Sequence, residues 1–286
     1  MFCRSKPITL QPPISQAFQP LARQPRARGQ IALSAKRLGR RSVIDGLRQA
    51  GAMKALFPRA EEMLQAICIN TAGGVTGGDR LSLAAEAGPG AALGLTTQAA
   101  ERAYRSRDGD FGTVDSTLKV AEGAMLHWLP QELILYDGCA LRRRLTVDLA
   151  ADARLLMVEP VVFGRAAMGE RLTDARFHDR IELRRDGRPL YHDAVRLEGD
   201  ISRQLARPSI AGGAGAMAAL VYVAPDAERH LEAVRAYLPE TGGASLLAPD
   251  VLVLRLLAPD SHILRQHLLP VLDRLSGDTL PVSWRL

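Results

Sequence analysis

The chain has 286 residues, 47% of them apolar and 24% charged, so it is long enough for a sizeable core and too apolar to stay disordered. The formal net charge of +6 is unevenly placed. Residues 1–59 hold 12 Lys+Arg against one acid, Asp45, whereas the remaining 227 residues hold 25 against 30. Cysteines at 3, 68 and 139 form no C-x-x-C pair and no even framework, no signal-peptide-like run opens the chain, and the longest apolar stretch (211–225) is short and glycine-rich. A cytoplasmic protein without a membrane span is expected.

In chain order, residues 1 to about 25 are proline-rich and aperiodic and are expected to be a mobile tail, with a single β-rich domain over 26–286. "GQIALSAK" reads as a strand whose solvent face carries part of the basic charge. The segment is sparse in aromatics, which disfavours stacking on nucleic acid; a basic docking surface or a solvated edge fits better. "AICIN" leads into "CINTAGGVTGGDRL" (68–81), where Gly73 and Gly78 have Walker A spacing. Asp79 and Arg80 then stand where Lys and Ser/Thr are needed, and a strand follows instead of the helix whose N-terminus would hold a phosphate. No phosphate loop is present.

Period-two alternation continues through "TVDSTLKV", "ALRRRLTVDLA" and the runs "ELILY" and "RLLMVEPVVFG". "IELRRDGRPLYHDAVRL" (181–197) reads as a hairpin turning at Asp186-Gly187. Residues 224–240 and 258–277 read as helices, the second one kinked or split by Pro270. The expected fold is mainly β: stacked or wrapped antiparallel sheets, with two C-terminal helices in a small α/β section.

No catalytic signature accompanies this pattern. The six histidines are scattered, H-E-x-x-H and G-x-S-x-G are absent, and no Cys/His cluster suits zinc. His127 lies in an apolar strand, and His178 and His192 lie in strands that could bring them together. Two alternative classes remain open: a basic nucleic-acid module over 23–59, or a hydrolase or oxidoreductase using Tyr104, Tyr136, Asp79 and Arg80. What stands out is three glycine-bearing patches with carboxylates: "TAGGVTGGDRL", "WLPQELILYDG" and "GRAAMGERL". Gly73, Gly74, Gly77, Gly78, Gly164 and Gly169 are the expected turn formers, with positive φ anticipated at Gly77, Gly78 and Gly169.

Those patches, with "TTQAAERAYRS" (96–106) and the closing "LPVSWRL", resemble the urease accessory protein UreD (UreH) family from about Arg26 to the end. The family pattern N-T/P-x-G-G-x-x-G-G-D-x-L is met by Asn70 to Leu81, L-P-Q-E-x-I-x-F/Y-x-G-x-x-x-R by Leu129 to Arg142, and G-R-x-A-M-G-E by Gly164 to Glu170. Thr71-Ala72 and Gln98-Ala99 depart from the frequent Pro-Pro and Pro-Gly. The resemblance implies a β-rich, non-enzymatic maturation factor. It would work with UreF and the GTPase UreG on apo-urease, and indirectly with UreE, with no nucleic acid or membrane partner. It would hold no tight cofactor but handle nickel in transit. Weak oxygen ligands suit a passing ion better than thiolates, so Asp79, Glu132, Asp137, Glu159 and Glu170 are candidate path residues, with Glu86 and Glu101 behind them; ion pairs to neighbouring arginines are the competing role. Arg80, Tyr104, Arg105, Tyr136 and Arg165 are docking candidates.

Overall fold

Alternating strands need a buried face on one side, and a computed structural model, which describes residues 25–107 and 109–285, shows how they find it. The tail expected over residues 1–25 falls almost wholly outside the described residues. Strands β1 (Arg28–Leu38) and β2 (Arg41–Gly51) form a hairpin, and β3 (Met53–Leu56) and β4 (Leu64–Asn70) pass to a second sheet. From there the chain alternates between the sheets. It runs through β5 (Arg80–Ala87), β6 (Ala92–Thr97), a short β7 (Glu101–Ala103), β8 (Gly112–Val120), β9 (Met125–Leu129) and a short β10 (Leu133–Leu135). It continues through β11 (Ala140–Leu149), β12 (Arg154–Phe163) and β13 (Ala175–Arg185) to β14 (Arg188–Gly199). The remainder is α1 (Ile201–Leu205), β15 (Ala216–Val223), α2 (Ala227–Tyr237), β16 (Gly242–Ala248), β17 (Val251–Ala258) and α3 (Ser261–Ser276).

The first sheet has the order β14-β13-β11-β8-β5-β1-β2 and the second β16-β17-β15-β12-β9-β6-β4-β3, with β10 joining β12 to β7. Stacked sheets and a mainly β chain are as the sequence implies. The pairing is not: β1, β5, β8, β11 and β13 are mutually parallel, as are β4, β6, β9 and β12. Antiparallel pairs are confined to the flanks, including the hairpin at Asp186-Gly187, whose φ values of 49° and 73° fit a primed turn. The reason is that the tight turns at 88–91, 121–124 and 150–153 hand the chain across to the facing sheet instead of back to its neighbour. The chain then returns to the same sheet two or three strands later, running in the same direction. A glycine-rich turn signal alone does not distinguish the two outcomes.

The inward faces of the two sheets build one core, with Ile31, Leu83, Leu118 and Phe177 meeting Leu126, Leu155 and Val221. The other face of the second sheet is covered by α2 and α3, where Leu156, Leu220 and Leu254 pack on Leu264, Leu268 and Trp284. Strand β15 is therefore buried along its whole length, which accounts for its unbroken apolar run. The Asp260 side chain caps α3 by accepting from the Ile263 amide at 2.9 Å, and Gly277 ends it at φ 62°. Pro270 does not split this helix; Ser261–Ser276 is continuous through it.

Candidate functional site

The glycine loop of residues 70–79 grips a tyrosine. The Asn70 side chain folds the loop on itself, donating to the Gly74 carbonyl at 2.9 Å and accepting from the Ala72 amide at 3.0 Å. The Tyr104 hydroxyl donates to the Gly73 carbonyl at 3.3 Å, and the Val75 amide donates to the Arg102 carbonyl at 2.7 Å. A Cβ on Gly74 would overlap the Tyr104 ring. Positive φ is present at Gly73, Gly74, Gly78, Gly164 and Gly169 but not at Gly77. Gly77 is required for a different reason: a Cβ there would collide with the Ser106 hydroxyl and lie 2.5 Å from the Asp110 carbonyl. Asp79 is 5% exposed and accepts from the Ala27 amide at 2.7 Å and the Thr76 amide at 2.8 Å, so it ties the loop to the start of β1.

Tyr104 joins the second and third glycine patches. Its ring meets Tyr136 edge-on at 5.0 Å, and the Arg165 guanidinium lies 4.5 Å from the Tyr136 ring centroid. Arg165 also grips Glu170, with Nε 2.8 Å from one carboxylate oxygen and a terminal nitrogen 3.1 Å from the other. That hydrogen bonding holds the Glu170 carboxyl below its ordinary range, against the opposing effect of burial. Next to it, Asp137 accepts from the Thr173 amide at 2.7 Å, the Asp174 amide at 3.1 Å and Arg105 at 2.7 Å. Burial works to raise Asp137, but these donors outweigh it and its carboxyl is lowered. Four docking candidates (Tyr104, Arg105, Tyr136, Arg165) and two path candidates (Asp137, Glu170) therefore share one surface, which also carries Met168 at 72% exposure. Arg80 stands apart, on the outer face of the first sheet.

Glu159 and Glu132 are deeper. Glu159 is 3% exposed; Trp128 Nε1 donates to it at 2.6 Å and Arg143 pairs with it directly. Arg143 also forks onto both oxygens of Asp179, at 2.9 and 2.6 Å. Burial raises the Glu159 carboxyl and the Arg143 charge opposes that rise. Glu132, 5% exposed, pairs with Arg265 of α3 at 3.1 Å. Beside these pairs lies a cavity of about 200 Å³ between the sheets, lined by Asn70, Glu101, Trp128, Gln131, Arg143 and Glu159 among others. Burial raises the Glu101 carboxyl despite donation from its neighbouring amide and Asn70.

The ion pairs are made with Arg105, Arg143, Arg165 and Arg265; of the arginines adjacent in sequence to the carboxylates, only Arg165 takes that role. The partners Arg143, Asp179 and Arg265 carry no signal in the sequence, because arginine in "LRRRL" reads as a solvated face until Arg143 is known to be the inward member of the alternation. No three metal-ligating side chains converge among the described residues. His178 faces Arg196 and His192 faces Glu182 across the β13–β14 ladder, so those two histidines do not meet. His127 is buried and its imidazole is pushed down to about 4 by desolvation. The Cys68 and Cys139 thiols, also buried, are pushed up to about 12 by desolvation, which makes them poor nucleophiles and poor ligands. No helix among the described residues is long and apolar enough to cross a membrane.

Comparison with known proteins agrees with the motif pattern. The family model described as UreD urease accessory protein matches residues 27–284. A urease accessory protein UreD of Roseobacter denitrificans is 55% identical over 92% of this chain and 96% of its own length. One from Ruegeria pomeroyi is 55% identical over 90% of this chain and 100% of its own. One from Brucella suis is 46% identical over 91% and 95% respectively.

Proposed function

Because the chain belongs to the UreD urease accessory protein family, with a role in urease maturation, we propose that it acts as a non-catalytic scaffold for nickel insertion. It would dock on apo-urease together with UreF and the GTPase UreG, with UreE supplying nickel upstream, in the cytoplasm and without nucleic acid or a membrane. The observation that carries this reading is the shared surface of Tyr104, Tyr136 and Arg165, held by three glycine patches. Aromatic and arginine side chains anchored in this way are the usual energetic centres of protein interfaces.

Nickel is cargo here, not a resident cofactor. The inter-sheet cavity, with Glu101 and Glu159 on its wall, would give a passing ion oxygen ligands too few to trap it. Asp79, Glu132, Asp137 and Glu170 are already engaged by amides and arginines, as Glu159 is by Arg143 and Trp128, which favours a supporting role for all five around such a path. The test is deletion of the gene, complemented with wild type or with Glu101→Gln, Asp79→Ala, Glu132→Ala and Glu170→Ala variants, followed by urease assay, nickel analysis of purified urease and co-purification of the complex. An intact complex yielding nickel-poor urease supports passage; a dissociated complex assigns the residue to structure. Nickel-replete urease in the deletion strain would overturn the maturation role.

A further inference from the structure

The outer face of the first sheet places its charges in two contrasting ways. Near the C-terminal ends of the parallel strands, the cross-strand neighbours Glu86, Lys119, Asp148 and Arg184 follow one another in alternating sign. Near the N-terminal ends, the neighbours are Arg28, Arg80, Thr113, Arg142, His178 and Arg196, with no acid in the row. Five strand spacings make this row about 24 Å long. The adjoining row sets Arg144 between Arg180 and Asp115. Like charges directly opposite on neighbouring strands destabilise a sheet, so the fold neutralises one end of this face and tolerates repulsion at the other.

Local partners do not remove the excess. Glu198 serves His178 and Arg196, and Glu182 serves Arg180 and Arg184. Arg28, Arg80, Arg142 and Arg144 are exposed and make no ion pair among the described residues. Phe111 stiffens the row from its rim: the Arg142 and Arg176 guanidiniums each lie 4.7 Å from its ring centroid, and His178 packs on it at 4.8 Å.

We propose that this row is a docking surface for an acidic polypeptide segment of a partner, laid across the strands of the first sheet. A guanidinium fork matches a carboxylate in shape and charge. Nucleic acid fits less well. The one aromatic at the rim of the row, Phe111, is already covered by two guanidiniums and a histidine, which leaves no free ring for a base to stack on there. Failure of this surface would leave the maturation role standing, since that role is read from nickel in urease.

The experiment uses the full chain and two fluorescent probes of equal charge, a peptide of alternating Glu and Ser and an oligothymidylate. The peptide should bind in a salt-sensitive way, and Arg80→Glu/Arg142→Glu should weaken it about tenfold, as loss of two attractions and gain of two repulsions predicts. Lys54→Glu/Arg188→Glu, with the same change in net charge elsewhere, should not. Thermal melting should show both variants folded; if the reversal variant is not, Arg80→Gln/Arg142→Gln carries the same comparison. No peptide binding, equal loss in the control, or tighter binding of the oligonucleotide would each overturn the proposal.

Discussion

Arg265 and Glu132, 133 residues apart, meet with both carboxylate oxygens of Glu132 within 3.2 Å of one guanidinium nitrogen. The same side chain bonds Gln131 and the Trp284 carbonyl and lies 5.0 Å from the Trp284 ring, while Trp284 Nε1 donates to Leu129 at 2.9 Å. One arginine thus joins the "LPQE" segment, α3 and the C-terminal "PVSW". Arg265→Ala strands a buried carboxylate and is expected to cost about 3–5 kcal/mol. Glu132→Gln should be milder, and Arg265→Gln with Glu132→Gln should cost less than the sum of the single changes. Denaturant unfolding of the three variants checks this.

A second prediction concerns Arg143, which lies between Glu159 and Asp179 in the first core. Arg143→Met leaves two carboxylates facing each other away from water. Destabilisation of about 3–5 kcal/mol is expected, recovered in part by adding Glu159→Gln and Asp179→Asn. A triple variant no more stable than Arg143→Met alone would show that volume, not charge, is the role of this side chain.

Gly77→Ala should destabilise by about 1–3 kcal/mol through crowding against Ser106 and Asp110. Ser106→Ala can relieve only the hydroxyl clash, so the double variant should recover part of the loss and not all. At Gly169, by contrast, a Cβ meets nothing within 4 Å, so its alanine variant pays only for φ 63°, about 1–2 kcal/mol. Melting temperatures of the three variants rank these effects.

Acid should act on the fold through His127. Its folded pKa is about 4 against 6.5 for the free group, because burial disfavours the imidazolium. Between those values the unfolded chain binds more protons, so stability falls as pH drops from 6.5 toward 4, by about 3 kcal/mol in all. Urea unfolding at several pH values should show this slope, and His127→Phe should remove most of it.

How much of this could be read from the chain differs by level. Period-two alternation marked the strands, Asp186-Gly187 marked its hairpin, and Asp260 and Gly277 bracketed α3 closely. Parallel pairing was hidden because "EAGPGA" and "AADA" state that the chain turns, not which sheet it turns into. At the candidate site the motifs led to Tyr104, Tyr136, Arg165 and Glu170, which do meet. Arg143 and Arg265 were not legible, since a charged side chain in an alternating strand or on a helix announces its burial only through a tertiary partner. Gly77 was legible as a glycine but not for its cause: steric approach depends on Ser106 and Asp110, far along the chain.

The parallel centre also gives the molecule a direction of assembly. In each sheet, order in space follows order in synthesis: β5, β8, β11 and β13 on one side, β6, β9 and β12 on the other. A growing chain can add one strand to each sheet per cycle, each new pair finding a template already in place, as in repeat proteins that propagate from a nucleus. The hairpin returns, β2 at one border and β14 at the other, reverse the strand direction at the two edges of the first sheet. The indole of Trp284, 155 residues beyond Leu129 in the chain, can reach that carbonyl only once the strands between them are in place, so this bond closes the seam last.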